Sequence, residues 1–305
     1  MSEANRIVRA TLDSLSAHIA LVDASGEIFL TNEAWRRFAR ANGTLPHEVS
    51  EGANYLDVCD SAGRAGSEEA AAFADGLRSV LDARLEEFAM EYPCHSPTEK
   101  RWFVARATRF LAGGVAEGAV VAHEDITERK LAEEETTHRA LHDPLTDLPN
   151  RLLLGDRLEH ALSHAAREGT TVAVLYLDLE GFKAVNDEFG HEAGDRVLVA
   201  VAGRLRGCLR EADTASRLGG DEFVVVLERV LGEGEALALA ERIVGALEKP
   251  FSVGGAERIL SASMGMALST LPHEHPEDLL RFADLAMYRS KREGKGRFSL
   301  YEAPL

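Results

Sequence analysis

The run Val172-Ala-Val-Leu-Tyr-Leu-Asp-Leu179 limits the fold of this chain more than any other segment. Apolar and polar positions do not alternate in it, so a strand built from it must be covered on both faces. Such a strand belongs at the centre of a sheet with helices packed above and below. Its one charge, Asp178, falls at its end. The flanking pattern supplies the covers. Apolar spacing predicts helices over 149–167, 195–209, 233–247 and 276–291. Strands are expected over 214–218 and 222–228, folded into a hairpin around a Gly-Gly-Asp turn, and over 259–267.

This order is strand-helix-strand-strand-helix-strand, the ferredoxin-like arrangement of an α+β domain, expected over 142–305. A second α+β unit is expected over 11–126. Strands 19–23 and 28–30 flank the turn Ala24-Ser-Gly-Glu27. Asn32 caps a helix over 33–40 that puts Trp35, Phe38 and Ala39 on one face. Residues 42–67 read as a long irregular stretch, 67–87 as a helix, and 87–93, 101–111 and 118–123 as strands. Between the units, 127–141 carries no Gly or Pro and suits a helix. Leu131, His138 and Leu141 trace a thin seam along it, and a solvated linker and a two-stranded coil both fit. Two domains suit the 305 residues, at ~100–200 residues per domain.

The charge balance excludes one class of function. Lys plus Arg number 34 against 51 Asp plus Glu, a net charge of −17, so this is not a general nucleic-acid binder. A phosphate ligand is still allowed, because metal ions and a few local lysines can supply positive charge. Cys59, Cys94 and Cys208 are far apart and form neither a zinc pattern nor a disulfide framework, which fits a reducing compartment. No apolar run reaches the roughly 18 residues needed to cross a bilayer, and residues 1–14 lack the apolar stretch of a secretory signal. A cytoplasmic location without a membrane span is the expectation.

Chemistry concentrates on three carboxylates. Asp178 ends the buried strand, and Asp221 with Glu222 occupies the hairpin tip. Neighbouring strands would bring them together. Clustered carboxylates repel and raise each other's pKa unless a hard cation sits among them. Oxygen-only ligands point to Mg²⁺ (or Mn²⁺), which recruits substrate phosphates to complete its shell. Taken alone, Asp-Glu at a hairpin tip is a solvated acidic turn.

The surrounding motifs decide between these readings. Arg217-Leu-Gly-Gly-Asp-Glu-Phe223 resembles the signature of GGDEF domains, the diguanylate cyclases. Asp143-Pro-Leu-Thr-Asp-Leu-Pro-Asn-Arg151, Asp178-Leu-Glu-Gly-Phe-Lys-Ala-Val-Asn-Asp187, Phe189-Gly-His-Glu-Ala-Gly-Asp195 and Ala283-Asp-Leu-Ala-Met-Tyr-Arg-Ser-Lys291 resemble further blocks in family order. The resemblance implies a homodimer that condenses two GTP into cyclic di-GMP and two pyrophosphates. It implies that Asp178, Asp221 and the Leu179 carbonyl hold metal, with Asp221, or else Glu222, as proton acceptor. Lys183 would hold triphosphate oxygens and stabilise the transferring group, while the backbone at Gly181 and Phe182 cradles phosphate. Asn186 and Asp195 would read guanine, whose N1–H and N2–H₂ suit a carboxylate. A substrate contact and simple loop packing both fit His191. Lys291 and Lys295 match phosphate-binding positions, the latter with Lys where the family usually has Arg. Glu180 stands where the family usually has Asp. Arg210-Glu-Ala-Asp213 resembles the family's inhibitory product site, with Arg210 and Asp213 as its contacts.

The first unit is similar to a PAS domain in its element order, and Glu124-Asp-Ile-Thr-Glu-Arg-Lys130 resembles that family's exit into a helix. Its ligand is unknown from the residues. No flavin-photoadduct cysteine motif is present, Cys94-His95 reads as a loop pair, and Trp35 and Trp102 read as packing residues. Three rivals remain: a nucleotide-sensing module without turnover, a cyclase making a different product, and a bifunctional enzyme. The chain stops at Leu305, too soon for a hydrolase domain in the last.

Overall fold

The structure is a computed structural model and describes residues 3–42, 50–96, 98–112, 115–269, 275–294 and 297–302. Its contacts divide the chain into Met1–Glu134 and Glu135–Leu305.

The first unit runs α1 (Glu3–Asp13), β1 (His18–Asp23), β2 (Ile28–Thr31), α2 (Glu33–Ala41), α3 (Tyr55–Arg64), α4 (Glu68–Leu81), β3 (Glu87–Pro93), β4 (Trp102–Ala112) and β5 (Val115–Asp125). The strands form an antiparallel sheet in the order β2-β1-β5-β4-β3. Asn32 caps α2 as expected, and its buried side chain also ties β1 to the segment ahead of it. It accepts from the Ile19 N–H at 3.0 Å and donates to the Ala17 carbonyl at 2.8 Å. The sequence missed α3, placing it inside an irregular stretch. Gly63 and the polar residues there mask a short helix that Asn54 caps and that buries Tyr55 and Cys59 one turn apart. The expected helix 67–87 stops at Leu81, where the chain leaves helical geometry and Ala83 takes a φ of 58°.

On β5, His123 is walled in by aromatic rings. Its Nε2 lies 2.8 Å from Tyr55 Oη and its Nδ1 lies 2.7 Å from Tyr92 Oη. On the outer side of β3, Glu91 pairs with Arg129 at 2.5 Å and with Lys130 at 2.6 Å. Both cations belong to α5 (Thr127–Leu141), a helix with no buried side chain.

The second unit confirms the reading of the central run. Its elements are α6 (Arg151–Glu168), β6 (Thr171–Glu180), α7 (Phe182–Phe189), α8 (His191–Cys208), β7 (Thr214–Gly219), β8 (Glu222–Val230), α9 (Glu233–Leu247), β9 (Phe251–Val253), β10 (Ala256–Arg258), β11 (Ser261–Leu268), α10 (Pro276–Glu293) and β12 (Phe298–Leu300). The main sheet has the order β12-β11-β6-β8-β7, so β6 is central. Leu175, Leu177 and Leu179 pack with Val197, Val201 and Ile243 of α8 and α9. Val172, Val174 and Tyr176 pack with Leu154, Leu158 and Leu279 of α6 and α10. Strands β6, β7, β8 and β11 make the ferredoxin-like sheet, to which β12 adds a parallel edge. The sequence missed α7 and began α8 four residues late. Gly181 and Gly190, with φ of 83° and 80°, mark the chain as a turn although they only bracket an eight-residue helix.

Burial holds the His123 ring neutral, with its pKa pushed down to about 3. The unfolded ring titrates near 6.5. Between these values the unfolded chain binds a proton that the folded unit refuses, so stability is full above the upper value and falls as pH falls. The contribution is at most about 1.4 kcal/mol per pH unit. Trp35 and Trp102, the only tryptophans, both lie in this unit, so their fluorescence reports its unfolding alone. Denaturant midpoints from pH 7 to pH 4.5 should drop more steeply for the wild type than for His123→Gln. Equal slopes would mean the ring is not held neutral.

Candidate active site

Strand β6 delivers Asp178 into register with Glu222 of β8 on one side and Ser263 of β11 on the other. Directly opposed residues share a face. Asp178, Glu222 and Ser263 therefore point with Tyr176 towards the face that α10 covers. The Leu179 N–H donates to the Asp221 carbonyl at 3.3 Å, which fixes Asp221 just beyond the end of β8. Asp178 and Glu222 are thus cross-strand neighbours, with Asp221 next to Glu222 in the chain.

Helix α10 reaches this edge because Gly265 removes the side chain beneath it. A Cβ at that position would sit 2.0 Å from the Met287 nitrogen and 2.1 Å from the Ala283 carbonyl oxygen. One turn further on, Lys291 places its Nζ 2.8 Å from Asp178 Oδ2. Asp221 has its pKa raised, first by burial and then by the charge of Asp178, with Lys291 and Arg217 offsetting part of the rise. Burial also pushes the Tyr176 phenol up to about 12, helped by the charges of Glu222 and Asp284, and its hydroxyl donates to Glu222.

The turn between β7 and β8 needs glycine, with φ of 142° at Gly219 and 54° at Gly220. A guanidinium clamps it. Arg217 donates through Nε and Nη2 to the Gly220 carbonyl at 3.1 and 2.8 Å, and through Nη1 to Asp143 Oδ1 at 2.9 Å. Asp143 also accepts from the Thr146 N–H and hydroxyl, at 2.9 and 2.6 Å. Burial would raise the Asp143 pKa, but the hydrogen bonds from Thr146 and Arg217 outweigh it and hold the carboxyl low. Sequence reading quoted both residues within motifs and gave neither a role. They lie 74 positions apart, so no periodicity links them.

At the other side of the site, Gly181 turns β6 into α7 without a capping side chain. The first N–H groups of a helix lack internal partners and attract anions. Here they follow directly on the acidic strand end, with exposed Lys183 beside them and Phe182 buried as an anchor. Asn186 is half-buried against α8, its Oδ1 only 1.9 Å from where a Cβ of Gly194 would stand. Glycine at 194 thus lets Asn186 lie against α8, the helix on which Asp195 and His191 are exposed. Lys295 lies outside the described residues.

Two expected residues stand apart. Arg210 and Asp213 precede the far end of β7 from the glycine turn, a strand of six residues, hence about 20 Å away at ~3.3 Å per residue. Asp213 accepts the Arg210 N–H at 3.0 Å, while the Arg210 guanidinium, 70% exposed, meets Glu235 at 2.7 Å.

Among the described residues, no three His, Cys, Asp or Glu side chains gather closely enough to hold a metal ion by themselves. Asp178 and Asp221 with a neighbouring carbonyl fit a hard cation that takes its remaining oxygens from a ligand. The raised Asp221 pKa marks the unfavourable charge such a cation would relieve.

Comparison with known proteins agrees with this geometry. The family described as diguanylate cyclase, GGDEF domain, matches residues 140–297, and the PAS fold matches 12–131. The bifunctional diguanylate cyclase/cyclic di-GMP phosphodiesterase MucR of Pseudomonas aeruginosa is 44% identical over 57% of this chain and 25% of its own length. The diguanylate cyclase DgcP of the same organism is 31% identical over 95% of this chain and 44% of its own length. This chain therefore spans less than half of either relative. The coiled coil and GGDEF domain of DgcB from Caulobacter crescentus, solved with cyclic di-GMP, has a TM-score of 0.53 at 28% identity, covering 57% of this chain and 93% of that one. The chain belongs to the GGDEF diguanylate cyclase family, with a PAS-fold unit ahead of the family domain. Among the described residues, no helix is long and apolar enough to cross a membrane.

The Asp143–Arg217 pair is 15% and 10% exposed. Removing one partner from a pair this buried strands the other and costs about 3 kcal/mol. Asp143→Ala and Arg217→Ala should each lower the second unit's unfolding free energy by that order, followed by far-UV circular dichroism. The double variant should cost clearly less than their sum; strict additivity would mean the clamp does not exist.

Proposed function

We propose that the second unit is a working diguanylate cyclase, acting as a homodimer under control of the first unit. The observation that carries this reading is the convergence of Asp178 and Asp221 beside an uncapped helix start. Residues 142–305 are the catalytic domain, 11–126 the sensor and 127–141 the linker.

Asp178, Asp221 and the Leu179 carbonyl would hold the divalent ion, Mg²⁺ or Mn²⁺. When bound, that ion supplies positive charge for the triphosphate and makes a nearby hydroxyl more acidic. The backbone N–H groups after Gly181, together with Lys183, take phosphate oxygens and stabilise charge on the transferring group. Lys291 answers the charge of Asp178 in the structure and lies close enough to answer phosphate when GTP arrives. Asn186 and Asp195 accept from the guanine edge. His191, at the start of the same helix as Asp195, is a further substrate contact.

Each 3′-hydroxyl oxygen attacks the α-phosphorus of the other GTP. The α–β anhydride bond breaks and pyrophosphate leaves. The hydroxyl proton passes to Asp221, with Glu222 as the alternative acceptor. One domain holds one GTP, so two must face each other. The exposed helix α5 suits a paired linker, and the DgcB structure, which joins a coiled coil to its GGDEF domain, supports that arrangement. The sensor would act through α5, shifting the population of facing domains. Arg210 and Asp213 would hold the product, with the exposed guanidinium leaving Glu235 to do so. The protein would work in the cytoplasm.

Protein supplied with GTP and Mg²⁺ should yield cyclic di-GMP and pyrophosphate in a 1:2 ratio by anion-exchange chromatography. Asp221→Ala should cut the rate at least about a hundredfold. Arg210→Ala should keep the initial rate while delaying the plateau as product accumulates. GTP binding without product, at any protein concentration, would contradict the reading.

A further inference from the structure

Helix α7 carries Lys183 and Asn186, yet it has little of its own to hold it. Its eight residues lie between Gly181 and Gly190, and Gly181 offers no capping side chain. A helix this short is marginal without outside contacts. One set of contacts comes from α8. Phe182 and Asn186 both close on Gly194, and Val185 is buried in the same core.

The other set comes from β9 and β10, which form a two-stranded hairpin of their own around Gly254 and Gly255. Phe251 and Val253 bury β9 in the core, and the Arg204 guanidinium lies 3.5 Å from the centre of the Phe251 ring. From this base the hairpin reaches α7. A Cβ at Gly254 would stand 2.8 Å from Phe189 Cδ1, so the ring rests on the bare turn. On β10, Arg258 Nη2 meets Glu188 Oε1 at 2.6 Å, and its guanidinium lies 4.9 Å from the centre of the Phe189 ring. Two residues further, the buried Leu260 lies 3.5 Å from where a Cβ of Gly181 would be. Residues 258–260 thus touch α7 at its end and at the glycine ahead of its start.

The Arg258–Glu188 pair is 39% and 55% exposed, and an ion pair this open adds little to global stability. A planar guanidinium that pairs with a carboxylate and also faces a ring still fixes direction. The residues it fixes follow Asn186 by two and three positions, within one helical turn.

We propose that the β9–β10 hairpin sets the base-reading end of α7, with Arg258 as a positioning residue that holds Asn186 through Glu188 and Phe189. This rests on the reading of Asn186 and Asp195 as guanine contacts. Asn186 stands on α7 and Asp195 on α8, so the hairpin steers one contact and leaves the other alone. It acts without touching the nucleotide.

The probe is α,β-methylene GTP with Mg²⁺, in which carbon replaces the bridging oxygen of the anhydride that the reaction breaks. Its affinity for the full chain is measured by calorimetric titration, with retention of the fold checked by circular dichroism. Asn186→Ala and Asp195→Ala should each weaken binding about tenfold, the loss of one hydrogen bond to the base. Arg258→Ala should weaken it about three- to fivefold. That factor should persist when combined with Asp195→Ala and vanish when combined with Asn186→Ala. A merely structural role would give the same factor in both backgrounds. In the wild type, the nucleotide should slow hydrogen exchange of the β9 and β10 amides together with those of α7, because the coupling is reciprocal; this readout stands even if a variant fails to fold. Equal factors in the two backgrounds, no effect of Arg258→Ala, or hairpin amides indifferent to nucleotide would each overturn the proposal and leave the guanine reading intact. No binding of the analogue to the wild type would overturn both.

Discussion

Two carboxylates forced together at the end of a buried strand are the constraint from which the second unit follows. Asp178 cannot move away, because β6 is locked between β8 and β11 and covered on both faces. Asp221 cannot move away either, because Arg217 grips the carbonyl before it and anchors to Asp143. Burial first, and then the charge of Asp178, raises the pKa of Asp221. Lys291 offsets part of it, and can do so only because Gly265 lets α10 lie against the sheet. Scaffold residues thus hold an arrangement that is unfavourable until positive charge arrives.

In the first unit, Tyr55, His123 and Tyr92 meet through two hydrogen bonds. The exposed helix α5 is tied to β3 of that unit through Glu91.

Much of this was legible in the sequence. The unbroken apolar run announced the central strand and the Gly-Gly-Asp turn announced the hairpin, while the candidate site was legible through the family motifs around the carboxylates and not from the carboxylates alone. Helices α3 and α7 were hidden because glycine and polar residues, usual marks of loops, here serve as brackets and exposed faces. The clamp between Arg217 and Asp143 and the ring cluster at His123 were hidden for another reason. Each joins residues distant in sequence, and no pattern of spacing encodes which of many charges or rings will meet once the chain is folded. The packing of Asn186 against α8, made possible by the missing Cβ at Gly194, needed coordinates.

The proposed metal site is open to direct measurement. Mn²⁺ titrated into the full chain with a non-hydrolysable GTP analogue can be followed by electron paramagnetic resonance, comparing wild type with Asp178→Asn. Retention of the fold is checked by circular dichroism. Binding weakened about tenfold or more in the variant is the expected result, since a charged ligand is lost from a small oxygen-donor site. Equal Mn²⁺ affinity in the two proteins would mean that the paired carboxylates do not hold the ion, and the site would have to be sought elsewhere.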